Sequence, residues 1–206
     1  MSSPRHDNTV AIDSHALGTL NYIRASIEAA GAFAVPGIAG IAMGSIGIAA
    51  TLLASLPGVG PHWLEIWIVA AIAAAAAGVL LIARQPARGL LYRGPARKFV
   101  LSLCPSLFAG AVLTWVFRAQ GLTSLIPGTW LLMYGCAVLS ASMMTIAAMM
   151  RRILLMGALF VLFGMAAFAL PERWHNLSLG LGFGALHLLF GILIGRTEIG
   201  RSTHAT

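Results

Sequence analysis

Charge is the scarcest commodity in this chain. Only 9% of its 206 residues are Asp, Glu, Lys or Arg, against roughly 25% in soluble domains. A water-soluble fold of this length could not cover its surface with so few, and 59% of the residues are hydrophobic. The mean hydropathy of +0.88 calls for an apolar solvent, and a bilayer is one. Cysteine is also sparse. Cys104 and Cys136 lie inside apolar runs, form no CxxC, and read as small apolar residues rather than metal ligands or a disulfide. Catalytic motifs are lacking too: there is no GxSxG elbow, phosphate-binding GxxxxGK[ST] loop or HExxH helix. The expectation is a chain that is not an enzyme and that holds no metal and no resident cofactor.

What is present is a series of apolar runs, about Phe33–Leu56, Trp63–Ala83, Phe99–Phe117, Thr129–Met150, Ile153–Leu170 and Leu177–Ile194. Each has the roughly 20 residues that carry a helix across a hydrocarbon core about 30 Å thick. Membrane strands need only about 9–11 residues of alternating polarity, and these runs are longer and apolar on every face. The fold class is therefore all-α, a polytopic membrane bundle of six transmembrane helices. Pro36 is expected to kink the start of the first span, and Pro105 lies near the start of the third.

Three regions follow. Residues 1–29 form an N-terminal segment. Within it, Leu17, Leu20, Ile23 and Ile27 fall on one helical face over Ser14–Ala29, which predicts a short amphipathic helix at the membrane surface. Residues 30–195 form the membrane domain, and residues 196–206 a polar tail. The first apolar run exceeds a signal-peptide core and reads as a retained span.

Orientation comes from the net charge of +7, carried by thirteen basic residues. Arg5, Arg24, Arg84, Arg88, Arg93, Arg97, Lys98, Arg151, Arg152, Arg196 and Arg201 fall on one side of the six spans, and Arg118 and Arg173 on the other. Cytoplasmic loops carry the excess of basic residues, so both termini are expected in the cytoplasm, in a bacterial inner membrane. The same residues meet anionic headgroups. Nucleic acid is not an expected partner, because no basic patch is interleaved with stacking aromatics. Trp63, Trp67, Trp115, Trp130 and Trp174 all fall near the opposite, outer ends, where an indole sits well at the headgroup boundary.

Ionisable groups inside a span mark transport paths and proton relays. No Asp, Glu, Lys or Arg lies at the middle of any run; Glu65 stands one turn inside the second. This argues against an ion-coupled carrier. The exception is His187, near the middle of the sixth run. Three readings stay open: an interhelical hydrogen bond, with Ser45, Thr114, Ser140, Ser142 or Thr145 as partner; a small polar cavity or ligand site, with Ser140 and Thr145 beside it; or an axial ligand to haem. Paired with Ser140 it is also formally a protease-like couple. His62 and His175 read as loop residues beside Glu65 and Glu172, in a plain turn over Pro171–Asn176 in the second case.

Small residues recur at helical spacing. Gly37, Gly40, Gly44 and Gly47 share a face of the first span, and Gly180–Gly184 and Gly191–Gly195 are GxxxG pairs in the sixth. These let backbones approach closely. Gly40, Gly44, Gly180 and Gly184 are thus helix-packing candidates, within one subunit or in a homo-oligomer.

Three stretches carry a resemblance: Leu20-Asn21-Tyr22-Ile23-Arg24, Gly128-Thr129-Trp130-Leu131-Leu132-Met133-Tyr134-Gly135, and Gly182-Phe183-Gly184-Ala185-Leu186-His187-Leu188-Leu189-Phe190-Gly191. Together they resemble a group of small bacterial six-span membrane proteins without an assigned activity, which implies the topology and no mechanism. The first expectation is a binding or accessory subunit that packs with itself or another membrane component. The second is a small permease or channel with a path near His187. The third is a haem-binding redox subunit.

Overall fold

A computed structural model describes residues 19–20, 34–84 and 94–202, without the side chains of Pro95 and of residues 197–202. The chain divides into two units, Met1–Ala32 and Phe33–Thr206. In the first, only Thr19 and Leu20 are described, and both are helical. The rest of the expected amphipathic helix, like Arg88 and Arg93 and residues 203–206 of the tail, lies outside the described residues.

The second unit is an all-α bundle whose described residues contain no strand. Helices α1 (Gly37–Ala54), α2 (Trp63–Ala83), α3 (Pro95–Ala119), α4 (Ile126–Ser142) and α5 (Ala147–Ala169) are followed by a composite sixth span. That span starts with a 3₁₀ turn (Glu172–Trp174). It continues as α6 (His175–Leu179), a π-helical segment (Gly180–Leu186) and α7 (His187–Ser202). Among the described residues, six helical stretches are long and apolar enough to cross a membrane. This is a multi-pass membrane protein.

Local chemistry sets most boundaries. Pro36 is extended and precedes α1, so it starts the helix instead of kinking it; its missing N–H is one that no helix start can bond. Gly58 takes a left-handed φ of 82° in the turn before α2, and Gly121 one of 72° before α4, a conformation open to glycine without steric cost. α3 begins at Pro95, four residues ahead of the expected start, so Pro105 sits well inside it. α5 ends at Leu170, which is extended ahead of Pro171, as the residue before a proline prefers.

The fourth span is shorter than expected and stops at Ser142. Neither glycine nor proline marks the break. Ser142 Oγ donates to the carbonyl of Leu139 and Thr145 Oγ1 to that of Ser142, both at 2.6 Å, which takes up carbonyls the ending helix leaves open. Ile146 is then extended and α5 begins. Arg151 and Arg152 consequently lie inside α5 instead of ending the fourth span.

Two glycine-lined pairs organise the bundle. Gly37, Gly40, Gly44 and Gly47 of α1 meet the backbone of the sixth span: a Cβ on Gly44 would lie 2.6 Å from the Leu188 nitrogen, and one on Gly37 would collide with Gly195. A Cβ on Gly40 would meet the Gly191 backbone and one on Gly184 the Ile48 side chain, while Gly180 closes on the Thr51 side chain of α1. The second pair, α4 with α5, was not expected. A Cβ on Gly164 would lie 2.6 Å from the Leu132 nitrogen and one on Gly135 2.8 Å from that of Val161. Helix α2 packs on α1 and α3 on α4, while α2 and α3 share no extended interface. The bundle thus has two three-helix halves: α1, α2 and the sixth span, and α3, α4 and α5. One end carries Arg84, Arg97, Lys98, Arg151 and Arg196, all exposed; the other carries the tryptophans.

Candidate functional site: a tyrosine–histidine pair in an aromatic seam

The halves meet along a seam filled by large side chains. Tyr134 of α4, Phe160 of α5, and Phe183 and His187 of the sixth span pack with ring centroids 4.8–6.2 Å apart. Trp67 of α2 lies 6.3 Å from Phe183. Phe160 is completely buried and His187 only 3% exposed. Tilted and edge-on contacts of this kind suit the ring quadrupole and add to the area they bury.

Inside the seam, Tyr134 Oη and His187 Nε2 are 2.6 Å apart. This bond joins the halves near mid-membrane. A neutral imidazole has one N–H and one acceptor, so either Tyr134 donates to Nε2 or Nε2–H donates to Tyr134. The ring lies beside the carbonyls of Gly182 and Phe183 on its own helix. Neither is in bonding geometry, and Nδ1 is buried without a hydrogen-bond partner among the described residues.

The expected hydroxyl partners of His187 are placed elsewhere. Ser140 is exposed. Thr145 is buried and bonded to Ser142, and Ser142 to Leu139. Ser45 donates to the Ile41 carbonyl and Thr114 to that of Gly110. Short hydroxyl side chains fold back on their own helix, whereas the tyrosine ring is long enough to cross the seam. Tyr134 lies in a run quoted above, and an intramembrane hydroxyl within the apolar fourth span was the signal that could have found it.

Among the described residues, further polar links cross between the halves at the two ends. At the arginine-rich end, Arg152 Nη1 of α5 donates to the Leu193 carbonyl of α7 at 2.6 Å. At the other end, Arg118 of α3 and Glu65 of α2 form an exposed ion pair at 3.1 Å. Polar connections therefore stand at three depths of an otherwise apolar seam.

A second, partly buried network holds the first half together. Asn176 of α6 accepts a bond from Trp67 Nε1 at 2.9 Å, and its Nδ2 donates to the Thr51 carbonyl at 3.0 Å and to Ser55 Oγ at 2.7 Å. The stretch expected as a plain turn is helical here because Pro171 starts a 3₁₀ turn that runs straight into α6. His175 is accordingly buried, with Nε2 3.1 Å from the Leu170 carbonyl. His62 and Glu172 are exposed. Among the described residues no three His, Cys, Asp or Glu side chains gather into a possible metal site.

Four of the five tryptophans divide into two sets. Trp115 and Trp174 are exposed and sit where a headgroup belt would lie. Trp67 is buried, and the Trp130 indole donates to Thr114 Oγ1 at 2.6 Å. The N–H of each of these two is satisfied inside the bundle, between helices.

Chemically, the Tyr134–His187 pair can hold two helices in register. Ligation of iron through Nε2 would first have to open its bond to Tyr134. Comparison of the chain with protein-family models, with curated proteins and with solved structures finds no match.

Proposed function

We propose that this chain is a non-enzymatic binding or accessory subunit of a bacterial cytoplasmic membrane, with both termini in the cytoplasm. The carrying observation is how the polar groups within the spans are used. Tyr134 bonds His187, Asn176 bonds three groups on α1 and α2, and Trp130 bonds Thr114. A transport path needs polar groups that can exchange partners with a solute. Here they tie helix to helix. The outward faces of α2 and α3 are broadly apolar, with Val69, Ile72, Leu101, Phe108 and Val112 exposed. These faces meet lipid or another membrane subunit. The exposed cations at one end seat the bundle against an anionic leaflet.

The test is flux and topology together. Proteoliposomes containing the purified protein are expected to be as tight to protons and potassium as protein-free vesicles. A leak abolished in His187→Leu would replace this reading with the permease. Reporters fused after Gly60, Ala96 and Thr206 are expected to read outside, inside and inside. A Soret band in the purified protein would favour the redox reading.

A further inference from the structure

Asn176 and His187 are eleven residues apart on one span, yet they serve different neighbours. Asn176 bonds α1 and α2, whereas His187 bonds α4 across the seam. In a regular α-helix, eleven steps of about 100° complete three turns and leave an offset of only about 20°. Both side chains would then point the same way and could not reach both neighbours. The seven residues between, Gly180–Leu186, are π-helical. An i→i+5 turn takes up one extra residue and so sets back the rotation by about 100°. The π segment is what turns Asn176 toward one set of helices and His187 toward the other.

The segment is built for close approach on every side. Gly180 closes on Thr51, Gly182 on Leu131 of the other half, and a Cβ on Gly184 would lie 2.7 Å from Ile48. The π form is rare and tends to mark functional positions, and a continuous α-helix is the ordinary alternative for the same residues. The π form brings both anchors into play; the α form satisfies one and releases the other.

We propose that the sixth span is a two-register element, in which the Asn176 network and the Tyr134–His187 bond together hold the π segment, and loss of either anchor lets the span relax to a continuous α-helix. The two anchors are then energetically coupled across roughly 16 Å of helix, through the register of the span itself and not only through the contact of Trp67 with Phe183. Anything that draws Asn176 away from α1 and α2 acts on the polar bond at the centre of the seam.

Two measurements on the full-length protein in detergent test this. The first compares the melting temperatures of Tyr134→Phe, Asn176→Ala and the double variant. Sites this far apart that share no packed partner give additive losses, and coupling carried by the Trp67–Phe183 contact alone would survive the deletion described next. In a two-register span the first loss is partly offset by relaxation and the second is not. The double variant is therefore expected to lose about 2–4 °C more than the sum of the single losses. Additive losses overturn the proposal.

The second deletes Leu181, an exposed residue of the segment. Removing the extra residue leaves ten α-helical steps, which place Asn176 and His187 at nearly the angle they now have. The deletion variant is expected to fold, to melt no lower than the parent, and to make the same double substitution additive. If the deletion abolishes folding or leaves the non-additivity intact, the two-register reading is wrong.

Discussion

The two glycine-lined pairs and the aromatic seam solve one problem in opposite ways. Between α1 and the sixth span, and between α4 and α5, backbones come so close that a single added carbon meets a main-chain nitrogen at 2.6 Å. Between the halves, the gap is wide enough to hold Tyr134, Phe160, Phe183 and His187, and one hydrogen bond marks its centre. Lipid is as apolar as leucine, so burial alone gives helices in a bilayer little reason to associate. Dispersion between close backbones supplies the reason in the pairs, and stacked rings with a few polar bonds supply it in the seam. The pairs fix helices rigidly, while the seam depends on side chains and can be retuned one residue at a time.

The sharpest way to break this contrast is Gly44→Leu. The new side chain would have to pass through the Leu188 backbone, and no folded protein is expected by size-exclusion chromatography in detergent. Gly164→Leu is expected to do the same through Leu132. Phe160→Ala attacks the seam instead. It empties a completely buried site and is expected to cost about 3–5 kcal/mol, read as a lower melting temperature of a protein that still folds. Tyr134→Phe keeps the ring and removes one hydroxyl. The expected loss is about 1 kcal/mol, and rescue of the same melting temperature in Tyr134→Phe with His187→Leu would show that the cost is the stranded imidazole. The smallest effect is expected from Arg118→Gln. Its partner Glu65 lies at the surface, where solvent and salt screen the pair, and the melting temperature should not move measurably. A large drop there would mean that the seam is held at its ends rather than by its rings.

Much of the architecture was legible because the bilayer imposes few options. Six runs of uniform apolarity give six helices, and the expected second span coincides with α2, Trp63–Ala83. The α1 glycine face was readable from its three- and four-residue spacing. The α4–α5 pair was not, because Gly128 and Gly135, like Gly157 and Gly164, stand seven apart; two turns return a residue to the same face, but the interval shows no local cluster. The end of α4 was hidden for another reason. Ser142 and Thr145 close the helix with their own hydroxyls, and such residues are common inside membrane helices.

The site was half legible. His187 stands out as the one imidazole in mid-span, but small hydroxyl residues are its obvious partners in the sequence, and the apolar ring of Tyr134 hides the hydroxyl that it bonds. Asn176 reads in the sequence as part of a turn, whereas Pro171 opens a 3₁₀ turn that runs into α6. The π segment left no sequence signature that separates it from a glycine-rich α-helix.

The α1 interface has a bearing on biogenesis. Gly37 and Gly195 touch, although they stand near opposite ends of the membrane domain. A chain leaving the ribosome therefore inserts its first span well before the surface that covers it has been synthesised. The grooved face of that span waits in lipid, or against a chaperone, through the making of four more helices. Closure of α1 against its mate has to await synthesis of the sixth span, and a chain cut short before Gly182 leaves α1 without that partner.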